Sequence, residues 1–199
     1  MSAAEANDVE VLIFEDVRLA RLARRDPTAA DRLLERIHPR VCRVVRAAAG
    51  ASQDADELVQ ICLVEILEHL HTYGGTGSLE SWAGQVAYRV VMRQLKGLRR
   101  RERTFIGTED EPGVSSLNPE RETASSLNLQ RLCARLTRIS PERRTALVLR
   151  LVYEYAVTEV ADITGVSVNT VKDRLRTGLR ELRVIFAKDP VLKELKLEE

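Results

Sequence analysis

The chain has 199 residues and a formal net charge of +1 at pH 7, with 44% apolar and 31% charged residues. Only 4% of the residues are aromatic, and alternating polar and apolar runs are scarce, so the composition argues against a sheet and favours an all-α fold. No apolar run is long enough to cross a bilayer and no signal-peptide pattern opens the chain, so we expect a cytoplasmic protein without membrane insertion.

Four helices are predicted in the first half, over residues 9–25, 29–49, 54–71 and 79–103. The third has a core stripe on one side, while its other side combines two branched apolar residues with acids and an amide: Glu57, Gln60, Ile61, Val64 and Glu68. Apolar residues ringed by polar ones indicate a protein-binding surface. The alternative is that the helix of residues 9–25 covers this side.

A glycine-rich loop, YGGTGS at residues 73–78, precedes the fourth helix, and Ser78 is the predicted N-cap. Trp82 lies one turn into that helix, beside a basic stripe of Gln85, Arg89, Met92, Lys96, Arg99 and Arg103. A loop, an indole and cations together suit an unpaired nucleic-acid strand, because bases need stacking partners and phosphates need positive charge. The alternative is that Trp82 belongs to the core and the glycines only form a turn.

Residues 105–128 are rich in Gly, Pro, Ser and acids and predict a flexible linker between two helical bundles. Beyond it, helices are predicted over residues 127–138 and 141–153. Ser140 is the expected N-cap of the second of these, with Pro141 at its first position. A tail begins near residue 189.

The segment from Glu159 to Arg183 predicts a helix, a tight turn and a second helix. Gly165 provides a position that tolerates positive φ, and Ser167 is the expected N-cap of the second helix. In helix-turn-helix proteins the second helix lies in the major groove of DNA. We predict base contacts by Asn169, Lys172, Asp173 and Arg176, and phosphate contacts by Arg174 and Arg180. The alternative is an amphipathic helix whose charges only face water.

Groups suited to catalysis or metal binding are sparse. Cys42, Cys62 and Cys133 lie far apart at apolar helical positions, which predicts buried, reduced thiols. His69 and His71, near Cys62, leave zinc binding open as an alternative. No nucleophile-base set or cofactor loop stands out, so we expect no enzyme, no metal and no cofactor.

Two groups of motifs resemble the extracytoplasmic function (ECF) sigma factors of bacterial RNA polymerase, a branch of the sigma-70 family. DADELVQ at residues 54–60 resembles the D-A-E-D-L-V-Q of sigma region 2, and residues 75–82 resemble the loop and tryptophan that follow it. SPER at residues 140–143, VA at 160–161, GVS at 165–167 and TVKDRL at 170–175 resemble landmarks of region 4. The resemblance covers about residues 26–183.

The resemblance implies a sigma factor that binds core RNA polymerase, recognises the -35 and -10 promoter elements and promotes DNA opening. The resemblance implies core-polymerase binding by Asp56, Glu57 and Gln60, and the predicted set adds Ile61 and Val64 from the same side of the helix. For the partly single-stranded -10 DNA it implies Gly75, Thr76, Gly77, Ser78, Leu79, Trp82 and Arg89, and the predicted set adds Gln85, Lys96, Arg99 and Arg100 of the basic fourth helix. For the duplex -35 DNA it implies Lys172, Asp173, Arg176 and Thr177, and the predicted set adds Ser167, Asn169, Thr170, Arg174 and Arg180.

The same resemblance implies a domain division and an anti-sigma partner. The expected units are an N-terminal extension helix (1–25), region 2 (26–104), the linker (105–128), region 4 (129–187) and a tail (188–199). Ile61, Arg89 and Arg93 depart from the family pattern, so the -10 sequence preference does not transfer. The N-terminal helix is longer than the minimal family pattern, and we expect it either to pack on region 2 or to serve a regulatory contact.

Two rival functions remain open. One is a LuxR-like two-domain transcription regulator, which would bind duplex DNA alone and need no polymerase contact. The other is a sigma mimic that titrates an anti-sigma factor without initiating transcription.

Overall fold

A computed structural model describes residues 3–50, 54–105, 136 and 138–188, with the backbone alone for residues 3–11, 99–105, 186 and 188. Every regular element in these ranges is helical, which confirms the predicted all-α fold. The elements are α1 (Ala3–Ala23), α2 (Pro27–Ala49), α3 (Ala55–Glu68), a 3-10 turn (Leu70–Thr72), α4 (Leu79–Phe105), α5 (Pro141–Leu147), a π turn (Val148–Val152), α6 (Val157–Thr164) and α7 (Val168–Lys188).

Local capping explains several of the helix starts. The Asp26 side chain accepts a hydrogen bond from the Thr28 backbone N–H at 3.0 Å, with Pro27 at the first position of α2. Ser140 caps α5 in the same way, as predicted, because its Oγ accepts from the Arg143 backbone N–H. Several predicted helices end within about two residues of the observed bounds. α1, however, begins at Ala3, before the predicted start at residue 9. α3 ends at Glu68, where the chain tightens into the 3-10 turn, and α5 ends at Leu147, after which the predicted helix continues as the π turn.

Three predicted segments lie largely or wholly outside the described residues. They are the linker of residues 105–128, the helix of residues 127–138 and the tail from residue 189. Cys133 also lies outside them.

The first half of the chain forms a bundle with α2 at its centre. α2 packs against α1, α3 and α4, and α3 packs against α4. Leu33, Ile37 and Ile66 are fully buried between these helices, as is Cys62, whose pKa is raised to about 12 because burial disfavours the thiolate. The core stripe predicted for α3 is therefore confirmed at Cys62 and Ile66.

The two halves share one hydrophobic core, a contact that the sequence did not predict. α2 packs against α5, and α4 packs against α6. Leu149, Tyr155 and Ile163 of the second half belong to the same buried cluster as Ile37 of the first half. A smaller cluster beneath α5 and α7 contains Ile139, Leu147 and Leu182. The helices before and after the linker thus form a single packed body.

Two buried arginines cross between the halves in opposite directions. Arg40 of α2 places its guanidinium 4.2 Å from the centroid of the Tyr155 ring, and its Nη1 lies 3.8 Å from Glu159 Oε1. Arg144 of α5 donates to the Ala48 carbonyl in the last turn of α2. A cation at a helix C-terminus is favourable, because the last carbonyls lack helical partners.

Candidate nucleic-acid interface

The acidic and apolar side of α3 is open to solvent. Asp56, Glu57, Gln60 and Val64 are exposed, with Val64 at 54% of its maximal accessibility, while Ile61 is half-buried. Within the described residues, α1 lies against α2 and makes smaller contacts with the 3-10 turn and α4. The alternative in which the N-terminal helix covers this side is therefore wrong.

The glycine-rich loop is held in a compact turn. Gly75 and Gly77 have φ angles of 75° and 102°, a region that favours glycine. The Tyr73 hydroxyl donates to the Gly77 carbonyl at 2.7 Å, and Ser78 Oγ accepts from the Ser81 backbone N–H at 3.2 Å. The predicted cap at Ser78 is confirmed, and the loop closes on itself.

Tyr73 keeps its proton in this loop. Burial raises its pKa to about 12, and the neighbouring carboxylates of Asp16 and Glu80 act in the same direction. The phenol therefore remains a hydrogen-bond donor to Gly77 throughout the neutral pH range.

Trp82 lies partly in the core and is partly accessible, so it has features of a core residue and of a residue that can stack on a base. Its indole is half-buried at the edge of the core, with the ring centroid 5.5 Å from that of Tyr73 at an interplanar angle of 50°. Leu79, by contrast, is fully buried. The Leu79 side chain thus lies in the core, and only its backbone is available to the loop.

The remaining loop and stripe residues differ in exposure. Thr76, Gly77, Ser78, Arg89 and Lys96 are exposed, and Gly75 and Gln85 are half-buried. Arg89 Nε donates to the Gln85 carbonyl at 3.3 Å. The side chains of Arg99 and Arg100 lie outside the described residues, although their backbone continues α4.

The helix-turn-helix has the predicted local geometry. Gly165 ends α6 with a φ of 66°, and Ser167 Oγ accepts from the Thr170 backbone N–H at 3.1 Å. The outer side of α7 is exposed at Asn169, Thr170, Lys172, Asp173, Arg176 and Arg180. Ser167 is exposed too, and Thr177 is half-buried. This side is wide enough to present several polar groups to a groove of DNA.

Two arginines of α7 have different surroundings. Arg176 Nη2 lies 2.8 Å from Asp173 Oδ1, and both side chains are mostly exposed. Arg174 is half-buried next to Tyr88 of α4, whose pKa is raised by burial against the opposing effect of Arg174. In this arrangement the guanidinium of Arg174 faces the first half of the molecule.

Sequence reasoning missed a charged network beside the loop that is centred on a buried acid. Asp16 of α1 is 1% exposed and pairs with Arg36 of α2, which also pairs with Glu80 of α4. The signal was present, because Asp16 falls within the apolar stripe of its helix, between Ile13 and Ala20. An acid at such a position predicts a buried partner.

The described residues offer no arrangement suited to metal binding or membrane insertion. No three His, Cys, Asp or Glu side chains among them could hold a metal ion. No helix in the same part of the chain is long and apolar enough to cross a bilayer.

Comparison with known proteins identifies the family. The profile described as Sigma-70 region 2 matches residues 33–102, and the profile described as Sigma-70, region 4 matches residues 129–182. Together they cover more than half of the chain, in the order that the motifs predicted. The chain belongs to the sigma-70 family, within its ECF group.

Two relatives are identical to this chain at slightly more than a quarter of the aligned residues. ECF RNA polymerase sigma factor SigG of Mycobacterium tuberculosis is 29% identical over 163 residues, covering 67% of this chain and 43% of SigG. ECF RNA polymerase sigma factor SigE of Mycolicibacterium smegmatis is 26% identical over 159 residues, covering 79% of this chain and 62% of SigE. This chain therefore spans less than two thirds of the length of either relative.

Two solved structures have a similar fold. The sigma factor RpoE, in complex with the anti-sigma factor NepR from Bartonella quintana, gives a TM-score of 0.62 at 19% identity over 80% of this chain and 97% of that chain. CnrH, in complex with the cytosolic domain of CnrY, gives 0.59 at 19% identity over 87% and 98%.

Proposed function

We propose that the chain is a sigma factor that binds core RNA polymerase, recognises the -35 and -10 promoter elements and promotes DNA opening for transcription initiation. The observation that supports this most is the presence of both family regions in order, each with an exposed surface of suitable chemistry. In this proposal the protein catalyses no reaction itself, and it acts in the cytoplasm as a subunit bound to the polymerase. We place region 2 within residues 26–104 and region 4 within residues 129–187.

Polymerase binding is assigned to the exposed side of α3. Asp56, Glu57 and Gln60 offer charge and hydrogen bonds, and Val64 adds an apolar contact. Ile61 stands where the family usually has an acid, so this chain relies more on apolar contact. A small apolar centre with a polar rim is the usual anatomy of a protein interface.

Binding of the -10 strand is assigned to the glycine-rich loop and the start of α4. The exposed backbone of Thr76 and Gly77 gives room for a base, Trp82 can stack on a base, and Arg89 and Lys96 supply positive charge for phosphates. Capture of an unstacked base offsets an unstacking cost of about a few kcal/mol.

Recognition of the -35 element is assigned to the exposed side of α7. Lys172, Asp173 and Arg176 lie near its start, where a recognition helix meets base edges. Each module alone should bind weakly, and joining both in one chain on the polymerase raises the effective concentration of the second contact. We also propose an anti-sigma partner, because the similar structure of RpoE is a complex with the anti-sigma factor NepR.

Run-off transcription with purified core polymerase tests the proposal. Genomic fragments should yield defined transcripts only when this protein is added. If no fragment is transcribed while the protein still binds an anti-sigma factor, the sigma-mimic function replaces the proposed one. Specific duplex binding without polymerase would favour the LuxR-like regulator.

The double variant Glu57→Ala and Gln60→Ala is expected to weaken binding to core polymerase by about tenfold or more, since central interface residues each contribute about 1 to 2 kcal/mol. Both side chains are exposed, so the free energy of unfolding should change little. Affinity for core polymerase is measured by fluorescence anisotropy of the labelled protein. Glu35→Ala, an exposed acid on α2, is the matched control and should bind normally; equal weakening by the control would reject this surface.

Arg176→Ala is expected to reduce discrimination at one or two -35 positions by about 1 to 3 kcal/mol, as for an arginine that contacts a base. Arg176 is mostly exposed and paired with Asp173, so its loss should leave the fold intact. Competition with single-base variants of the -35 element measures the effect. Arg183→Ala, at an exposed position further along α7, is the control; a uniform loss on all sequences would make Arg176 a phosphate contact instead.

A further inference from the structure

A buried carboxylate joins the N-terminal helix to the start of α4. Asp16 is 1% exposed, and its Oδ2 accepts a hydrogen bond from the Leu79 backbone N–H at 2.8 Å. Leu79 is the first residue of α4, so Asp16 binds the positive end of that helix from outside. Because burial of an unpaired carboxylate is costly, the Asp16 side chain is held at this position by its polar partners.

Arg36 completes the connection from a third helix. Its Nη1 lies 2.7 Å from Asp16 Oδ1, and its Nε donates to Glu80 Oε1 at 2.6 Å. Burial is the largest influence on Glu80 and acts to raise its pKa, but the hydrogen bond and charge of Arg36, with hydrogen bonds from the backbone and from Ser78, together lower the pKa of that carboxyl. The three charged groups thus tie α1, α2 and α4 together where the glycine-rich loop ends.

The same helix also touches the middle of the loop. A Cβ built on Gly75 would lie 2.7 Å from Val17 Cγ2 and 3.3 Å from Ile13 Cγ2. Around a Cβ built on Gly77, by contrast, no described atom lies within 4 Å. α1 therefore packs directly on the loop backbone at Gly75 and not at Gly77.

We propose that α1 is a clamp that holds the glycine-rich loop in the shape that receives the -10 strand, with Asp16 as its positioning residue. This inference rests on the proposed function of the loop. Contacts at Gly75 and at Leu79 fix the loop at its centre and at its end, so less conformational entropy is lost when a strand binds. Asp16 is buried and does not itself contact DNA.

Asp16→Asn is the first test, because asparagine has nearly the same shape and removes the charge that faces Arg36. Amide hydrogen exchange of the free chain should become at least about tenfold faster at residues 74–79, corresponding to a local opening about 1.4 kcal/mol easier. On a promoter fragment from the run-off assay, permanganate reactivity of the -10 thymines should fall severalfold, while affinity for core polymerase stays unchanged. Glu15→Gln removes an exposed charge from the same helix and should alter neither.

The outcomes separate this proposal from the function on which it rests. Unchanged exchange at residues 74–79 in Asp16→Asn would reject the clamp. Faster exchange at residues 74–79 with normal opening of the promoter DNA would reject the positioning role. Asp16 would then only stabilise the folded protein. Failure of the unmodified chain in the run-off assay would reject the sigma function, and exchange would still decide whether α1 holds the loop.

A pair of glycine variants gives a second test that does not depend on Asp16. Gly75→Ala and Gly77→Ala both strain a positive φ, but only the first also collides with α1. Adding Val17→Ala should recover part of the loop protection and of the promoter opening that Gly75→Ala loses, because it removes the collision but not the strained φ, and it should give no benefit to Gly77→Ala. Equal recovery in both, or in neither, would overturn the contact between α1 and the loop.

Discussion

Tyr155→Ala is expected to lower the free energy of unfolding by about 3 to 5 kcal/mol, the range for removal of a buried aromatic ring. Tyr155 is 7% exposed, and its ring lies against the guanidinium of Arg40 at 4.2 Å and that of Arg43 at 5.4 Å. Truncation leaves a cavity and removes the ring that faces the buried charge of Arg40. Urea denaturation followed by circular dichroism measures the loss.

Tyr155→Phe is the matched variant that isolates the ring. The Tyr155 hydroxyl is buried, and among the described residues no hydrogen-bond partner serves it. Removing an unsatisfied buried hydroxyl should be neutral or slightly stabilising. The phenylalanine variant should therefore unfold at or above the urea concentration of the unmodified protein, while the alanine variant unfolds far below it.

This pair also measures how strongly the halves are coupled. Tyr155 belongs to the second half of the chain and Arg40 to the first. The contact between them therefore stabilises both halves only if the halves unfold together. The unmodified protein and both variants should each unfold in one transition with similar urea dependence, and two separate transitions in the alanine variant would mean that the halves unfold independently once the ring is lost. Identical transitions for the alanine and phenylalanine variants would mean that this contact contributes nothing to stability.

Local features of the fold were predictable because their causes are local. Gly165 and Ser167 set the turn between α6 and α7 through a positive φ and a side-chain cap, and both signals can be seen in neighbouring residues. Ser140 with Pro141 sets the start of α5 in the same way. Periodicity also separated the buried side of α3 from its exposed side, because a helix in a bundle has only one face in the core.

Contacts between distant segments were not predictable from such signals. Arg40 and Arg144 look like surface cations in the sequence, and only the packing of α5 and α6 on the first half buries them. Leu79 was assigned to the -10 set together with the loop, although the period of its helix already predicted an inward side chain, and it is a core residue. Asp16 was visible as an acid in an apolar stripe, but its partners come from two other helices.

The sequence predicted the chemical type of the candidate site residues better than their exposure to solvent. Most residues assigned to DNA or polymerase are exposed, as a binding role requires. Arg174 differs, because its half-buried guanidinium lies beside Tyr88 in the first half of the molecule. The exposed face of a helix can be predicted from the period of its apolar residues. Whether another part of the molecule packs against one residue of that face depends on tertiary packing.

Trp82→Ala is expected to reduce the amount of open complex by about fivefold to 150-fold, since stacking of one base on an aromatic ring contributes about 1 to 3 kcal/mol. The indole is half-buried, so part of its surface remains available to a base while the rest contacts Tyr73. Formation of the closed complex should change much less, because duplex DNA presents no unstacked base. Permanganate reactivity reports opening, and mobility shift at low temperature reports the closed complex.

Trp82→Phe and the free energy of unfolding decide which part of the indole matters. Phenylalanine keeps a ring that can stack on a base and pack near Tyr73, so it should retain most of the opening that alanine loses. If Trp82 acts only in the core, both complexes should weaken together in proportion to the loss of stability. A defect in opening that exceeds the stability loss, and that phenylalanine restores, requires direct contact between the ring and the -10 strand.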